Sequence, residues 1–260
     1  MADKKRPTSV QAQEAALPAN TVNIEILEKL DYFTREAFNS LRTNLKFSGA
    51  DIVTVMITSC QPNEGKSSVS FELARSLSED GKRVVLVDLD LRKSVLVGKR
   101  QITTADKKEL KGVSHYLSGQ AELPDVIYHT NVERLDVLFS GPVAPNPTEL
   151  IGGELFGTMM QYLREHYDMV VVDTPPLGTV VDAALVAPYC DGAIMLIQSN
   201  TISYRFAQNV VRQIEATGCK LLGVVLNKVE TNRPGYYKGY GYYKKGYYKG
   251  YYAKDSGEKK

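Results

Sequence analysis

The segment Thr58-Ser59-Cys60-Gln61-Pro62-Asn63-Glu64-Gly65-Lys66-Ser67-Ser68 joins an apolar run to a helix-spaced one. Strand, loop and helix in that order let backbone N–H groups and a helix N-terminus cradle phosphate oxygens. Lys66 would reach the β- and γ-phosphates and the Ser67 hydroxyl would ligate Mg²⁺. Gln61, Asn63, Glu64, Gly65 and Ser68 would line the nucleotide. The first glycine of the usual GxxxxGK[ST] pattern is Cys60 here. Two further apolar runs end in acids. One reaches Asp88 and continues Leu89-Asp90-Leu91-Arg92; the other reaches Asp173 and continues Thr174-Pro175-Pro176. Asp88 and Asp90 stand at i, i+2, a spacing that points both the same way on a strand. Carboxylates at strand C-termini lie where open α/β sheets bind ligands. Ser67, Asp88 and Asp173 are therefore candidate Mg²⁺ groups, held directly or through water. The chemistry implied is nucleotide hydrolysis or phosphoryl transfer. Arg92 is a candidate contact for phosphate or for a neighbouring acid. Asn227, ending a later apolar run, would meet an adenine edge or serve a strand-end turn.

The last 25 residues hold nine of the sixteen tyrosines: Tyr236, Tyr237, Tyr240, Tyr242, Tyr243, Tyr247, Tyr248, Tyr251 and Tyr252. Glycines and lysines separate them in an approximate Gly-Tyr-Tyr-Lys repeat, and Val, Leu, Ile and Met are missing. Such a segment, here 231–260, lacks what a core needs and reads as a flexible strip of accessible phenols. A nucleotide site tethered to phenols suggests that the strip is its substrate.

The elements that must position these groups alternate. Runs at Ile52–Thr58, Val84–Asp88, Leu135–Phe139, Met169–Asp173, Ala193–Ile197 and Leu221–Leu226 are nearly continuous in apolar residues, as parallel strands covered on both faces are. Val69, Leu73 and Leu77, with Gly81 after them, predict a helix, and so do Phe206, Val210 and Ile214 before Gly218. The expected fold is α/β, a doubly wound, mostly parallel sheet; with its phosphate loop it resembles the P-loop NTPases, the Min- and Par-type ATPases among them. Residues 1–20 read as a disordered leader, 21–230 as the folded domain, 22–47 as one amphipathic helix, and 93–112 as a mobile surface loop.

Composition narrows the setting. The formal charge of +2 divides into +5 from Glu230 onward and about −3 before it, so the core carries no nucleic-acid signature and none is expected as a partner. Cys60, Cys190 and Cys219 are far apart, which favours a reduced, cytoplasmic compartment. His115, His129 and His166 are isolated and read as surface or packing residues. No apolar run is long enough to span a bilayer, and no signal-peptide core is visible.

With these residues in hand, the chain resembles the bacterial tyrosine kinases of capsule and exopolysaccharide synthesis, in the Gram-positive form whose kinase is a separate chain. The carriers are Glu64-Gly65-Lys66-Ser67, Val87-Asp88-Leu89-Asp90-Leu91-Arg92 and Val172-Asp173-Thr174-Pro175-Pro176. They also include Gly112-Val113-Ser114-His115-Tyr116-Leu117-Ser118-Gly119, Pro145-Asn146-Pro147-Thr148-Glu149-Leu150 and the tyrosine cluster. The resemblance implies ATP and Mg²⁺ as cofactors and transfer to tail tyrosines between subunits. Asp88 is then the candidate base and Asp90 its orienting neighbour, two roles that sequence does not separate. It implies a membrane-spanning activator that recruits the kinase to the inner face of the membrane, a phosphatase that reverses the modification, and a ring-shaped homo-oligomer. The family's ExxRxxR assembly motif falls on Glu36, Asn39 and Arg42, with Asn39 in place of the first arginine.

Two other readings compete. A Min- or Par-type ATPase would act as a positioning switch; its signature lysine, five residues before the catalytic one, is Gln61 here, and the tyrosine tail would have no role. A binding module would use Tyr, Gly and Lys to stack on single-stranded nucleic acid or polysaccharide.

Overall fold

The computed structural model describes residues 20–25, 27, 29–104 and 109–229. The leader and the tyrosine cluster lie outside the described residues. In chain order the elements begin with β1 (Thr21–Ile24), α1 (Tyr32–Phe47), β2 (Thr54–Ser59), α2 (Lys66–Glu79) and β3 (Val84–Asp88). Then come α3 (Leu96–Arg100), β4 (Ile102–Thr104), α4 (Val113–Leu117), α5 (Leu123–Val126), β5 (Tyr128–Thr130) and β6 (Leu135–Leu138). The rest are α6 (Pro147–Ile151), α7 (Glu154–His166), β7 (Met169–Asp173), α8 (Asp182–Val186), β8 (Gly192–Gln198), α9 (Tyr204–Ala216) and β9 (Leu221–Asn227).

The described strands form one sheet in the order β4-β1-β5-β6-β3-β7-β2-β8-β9. The β1–β4 and β5–β6 pairings are antiparallel and the others parallel. The strands at the centre alternate their side chains between two cores. Val55, Ile57, Val84, Leu86 and Val171 join a cluster with α1 and α2. Met56, Val85, Val87, Val170 and Val172 join one with α7, α8 and α9. Both faces are covered, which is why the runs read as continuous apolar stretches and confirms the doubly wound architecture. Gly81, after α2, adopts the left-handed conformation expected of it, and Lys82 N–H returns to Leu77 O at 3.3 Å.

Two expectations are corrected. The helix read over 22–47 begins only at Tyr32; its first part is the strand β1, whose Val22 and Ile24 are buried on the sheet. The Asp31 carboxylate sets the helix start by accepting from Phe33 N–H at 2.8 Å and Thr34 N–H at 3.0 Å. The segment 93–112, read as a mobile loop, contains α3 and β4. It is anchored by Arg100, which is 1 % exposed, bonds Glu72 Oε1 on α2 at 2.9 Å and lies 4.2 Å over the Phe71 ring. On α1, Asn39 Nδ2 donates to Glu36 Oε1 at 3.1 Å, whereas Arg42 turns inward to Ser76 O on α2 at 2.7 Å. The histidines serve locally: His115 Nδ1 accepts from Gly112 N–H, and His129 meets Asp136. Among the described residues no helix is long and apolar enough to cross a membrane.

Removing one member of a buried ion pair leaves the other's charge uncompensated. Arg100→Ala is expected to cost about 3 kcal/mol, the low end of the usual range because Arg75 also reaches Glu72 at 3.1 Å. Urea unfolding at neutral pH measures it.

Candidate active site

The site lies where β2, β3 and β7 end. Residues 84, 86 and 88 of β3, and 169, 171 and 173 of β7, face α2, so the strand parity that buries valines also delivers Asp88 and Asp173 under that helix. The two acids are direct partners in the β3–β7 register, and each is 1 % exposed. Leu89 N–H donates to Asp173 O at 2.8 Å, tying the two strand ends together.

Helix α2 brings the cation and hydroxyls. Lys66 is its first residue and is buried. Burial pulls the ammonium below its ordinary range, while Asp173, Asp90 and Glu64 hold it up. Ser67 and Ser70 both donate to the Asp173 carboxylate, Ser70 at 3.1 Å. Burial pushes both carboxyls above the usual range. For Asp88 the Asp173 charge adds to that push, and the Ser94 hydroxyl and Asp90 N–H oppose it. For Asp173, Ser67, Lys66 and Ser70 oppose it. Asp90 does not share the strand as its spacing suggested. Strand β3 ends at Asp88, and Asp90 lies half-buried in the following turn, its Oδ1 accepting from Lys93 N–H at 2.9 Å.

The phosphate loop is braced from several sides. Gly65 has φ +102°, and a Cβ there would stand 2.3 Å from Asn227 Nδ2. That amide donates to Glu64 O at 2.8 Å, and Lys228 Nζ donates to Asn63 O at 2.6 Å. The structure thus brings Asn227 to the loop backbone; the sequence offered an adenine edge or a turn. Glu64 likewise braces the loop: its carboxylate accepts from Gln61 N–H at 2.7 Å and Gln198 N–H at 3.0 Å. Ser68 Oγ accepts from Lys99 Nζ at 2.7 Å. Cys60 replaces the expected glycine by sending its side chain into the core beside Met195. Gly178 supplies the close approach instead, since a Cβ there would sit 2.2 Å from Cys60 O. Two functional candidates escaped the sequence reading. Ser94 Oγ donates to the Asp88 carboxylate, and Asp182 receives Arg92.

The donor set fits a hard divalent cation carried with phosphate. Ser67 and two buried carboxylates offer oxygen only. Among the described residues no group of three or more His, Cys, Asp or Glu side chains could cage a metal unaided. Mg²⁺ takes one or two carboxylates plus substrate oxygens and water, which matches.

A carboxyl whose folded-state pKa is raised stabilises nothing at neutral pH. It withdraws stability as pH climbs from the unfolded value near 3.9 toward the raised one. Asp88→Asn is therefore expected to raise the melting temperature of the nucleotide-free chain at pH 8 by a few degrees and leave it nearly unchanged at pH 4. Scanning fluorimetry at both pH values measures the difference. Gly65→Ala adds a Cβ in a left-handed conformation against the Asn227 amide, and is expected to cost about 1–3 kcal/mol. Titration with a fluorescent ADP should show weakened binding.

Comparison with known proteins agrees with this geometry. A family model described as an AAA domain matches residues 54–221. Tyrosine-protein kinase CpsD of Streptococcus agalactiae is 42% identical over 212 residues, spanning 82% of this chain and 90% of that protein. The crystal structure of the chimerical protein CapA2B2 superposes with a TM-score of 0.69 at 34% identity, covering 75% of this chain and 85% of that one. A Mg-ADP complex of the septum site-determining protein MinD from Pyrococcus horikoshii shares the fold at TM-score 0.56 and 24% identity, over 70% and 74% of the two chains. Cradle, acid pair and relatives converge: the chain belongs to the bacterial tyrosine-protein kinase family.

Proposed function

We propose that the chain transfers the γ-phosphoryl group of ATP to tyrosines of its own C-terminal cluster, from one subunit to another. One observation carries the reading: a single chain holds both the buried acids Asp88 and Asp173, with Lys66 beside Asp173, and nine tyrosines in its last 25 residues. Family membership favours the kinase over a positioning ATPase, which has no use for those phenols.

Catalysis of this type rests on positioning and charge. Lys66 and the loop amides hold the phosphates. Ser67, with Asp88 and Asp173 directly or through water, would hold Mg²⁺, which when bound would offset charge on the phosphate oxygens. The acceptor phenol, with an ordinary pKa near 10, gives up its proton as its oxygen bonds the γ-phosphorus and ADP leaves. Asp88 is the candidate base, as the family resemblance implies. Asp90, half-buried beside it, orients the acceptor.

Each phosphate adds about −1.5 to −2, so nine would add roughly −14 to −18 and overwhelm the tail's +5. In this reading self-repulsion opens a ring assembled partly through Glu36, Asn39 and Arg42. A membrane-spanning co-polymerase recruits and activates the kinase at the inner face of the membrane, a phosphatase resets it, and the cycle governs polymerisation and export of capsular or exopolysaccharide.

Incubation of the purified chain with γ-labelled ATP, Mg²⁺ and the activator's cytoplasmic segment, followed by peptide mapping, tests this. Label is expected on tail tyrosines. It should fall at least about 100-fold in Lys66→Met, and vanish with EDTA or when the chain ends at Arg233. Phosphate release with no tyrosine label would favour the positioning ATPase.

A further inference from the structure

Arg92 and Asp182 are ninety residues apart in sequence and joined in the structure. Arg92 Nε donates to Asp182 Oδ2 at 2.6 Å and Nη2 to Oδ1 at 2.9 Å, so the guanidinium fork meets both carboxylate oxygens. The Asp182 side chain is 0 % exposed, whereas that of Arg92 is 40 % exposed. The dependence is therefore one-sided. A fully buried carboxylate needs its cation, while the guanidinium can be solvated without its partner.

The position of the pair gives it meaning. Arg92 lies in the turn that follows Asp88 and Asp90, and Asp182 opens α8, beyond the loop that leaves Asp173. At the strand ends these two segments are tied by the Leu89–Asp173 backbone bond. Further out, the fork ties them again. The buried Leu91, whose carbonyl accepts from Ala144 N–H at 3.1 Å, seats the turn on the core, and the two ties to the Asp173 segment fix its separation and angle there. Ser94 then reaches back from the same turn to Asp88.

We propose that Asp182 is a positioning residue for phosphoryl transfer: by holding Arg92 in a two-point grip, it keeps the Asp88–Asp90 turn in register with Asp173. The proposal rests on the kinase reading above. Displacement of catalytic groups by about 1 Å can cost on the order of 100-fold in rate while leaving binding intact. Nucleotide binding depends on the loop around Lys66, which the fork does not touch.

The test compares Asp182→Asn, Arg92→Lys and the double variant as full-length chains with the activator segment. Melting temperature, KM for ATP, kcat for tyrosine label and kcat for phosphate release are measured for each. Asp182→Asn keeps the shape but breaks the charged fork; Arg92→Lys keeps the charge but offers a single point. Both are expected to fold and to lower kcat roughly 10- to 100-fold, with KM for ATP within about threefold. The double variant should be no slower than the slower single variant, because both remove one contact. Unchanged kcat in a folded Asp182→Asn overturns the proposal, as do losses that multiply in the double variant or a KM that rises in step. If Asp182→Asn does not fold, Arg92→Lys decides alone: native melting with unchanged kcat refutes the grip. Should the parent chain release phosphate without labelling tyrosine, the kinase reading fails, and the same comparison of phosphate-release kcat decides the role of Asp182.

Discussion

Two carboxylates buried side by side are the constraint around which the rest of this molecule is arranged. Asp88 and Asp173 face each other across adjacent parallel strands, nearly sealed from water beneath a helix. Like charges in such a place repel and lack solvation, so the surroundings must compensate. Lys66 and two serine hydroxyls do so from α2, and backbone and side-chain donors do so from the turn after β3. Compensation is partial, since both carboxyls still hold their protons more tightly than usual. The fold thus stores an electrostatic deficit that a divalent cation with its phosphates is suited to relieve.

The sheet can enforce it because of where its apolar side chains go. Alternation places one set of valines and isoleucines against α1 and α2 and the other against α7, α8 and α9. The acids inherit their direction from Leu86 and Val171, two residues before them. A one-residue slip of β3 or β7 would send a carboxylate to the wrong face along with every buried neighbour, so packing specifies the register of the site.

Much of this was legible in the sequence, for identifiable reasons. Continuous apolar runs ending in Asp88 and Asp173 announce parallel strands with acids at their C-terminal ends. Gly65-Lys66-Ser67 announces the helix start, and Gly81 a helix end. What escaped was short or depended on distant partners. Four residues at Thr21–Ile24 cannot separate a strand period from a helical one, although Asp31 before Tyr32 was an available capping signal. The polar stretch 93–112 hides an ordered helix because Arg100 finds Glu72 and Phe71 only once α2 is folded. Asp182 carried no local mark, since its meaning is Arg92, and Asp90 read as a strand residue because spacing alone does not show where β3 stops. Glu64 and Asn227 were placed at the nucleotide by motif logic; their observed bonds go to backbone, a distinction that sequence pattern does not encode.

The last strand has a mechanical aspect. Asn227 and Lys228 grip the carbonyls of Glu64 and Asn63, and the chain passes from them directly toward its tyrosines. The end of β9 is therefore also a strut of the phosphate loop. A load applied to the chain beyond Lys228 would arrive first at the two contacts that shape the phosphate loop.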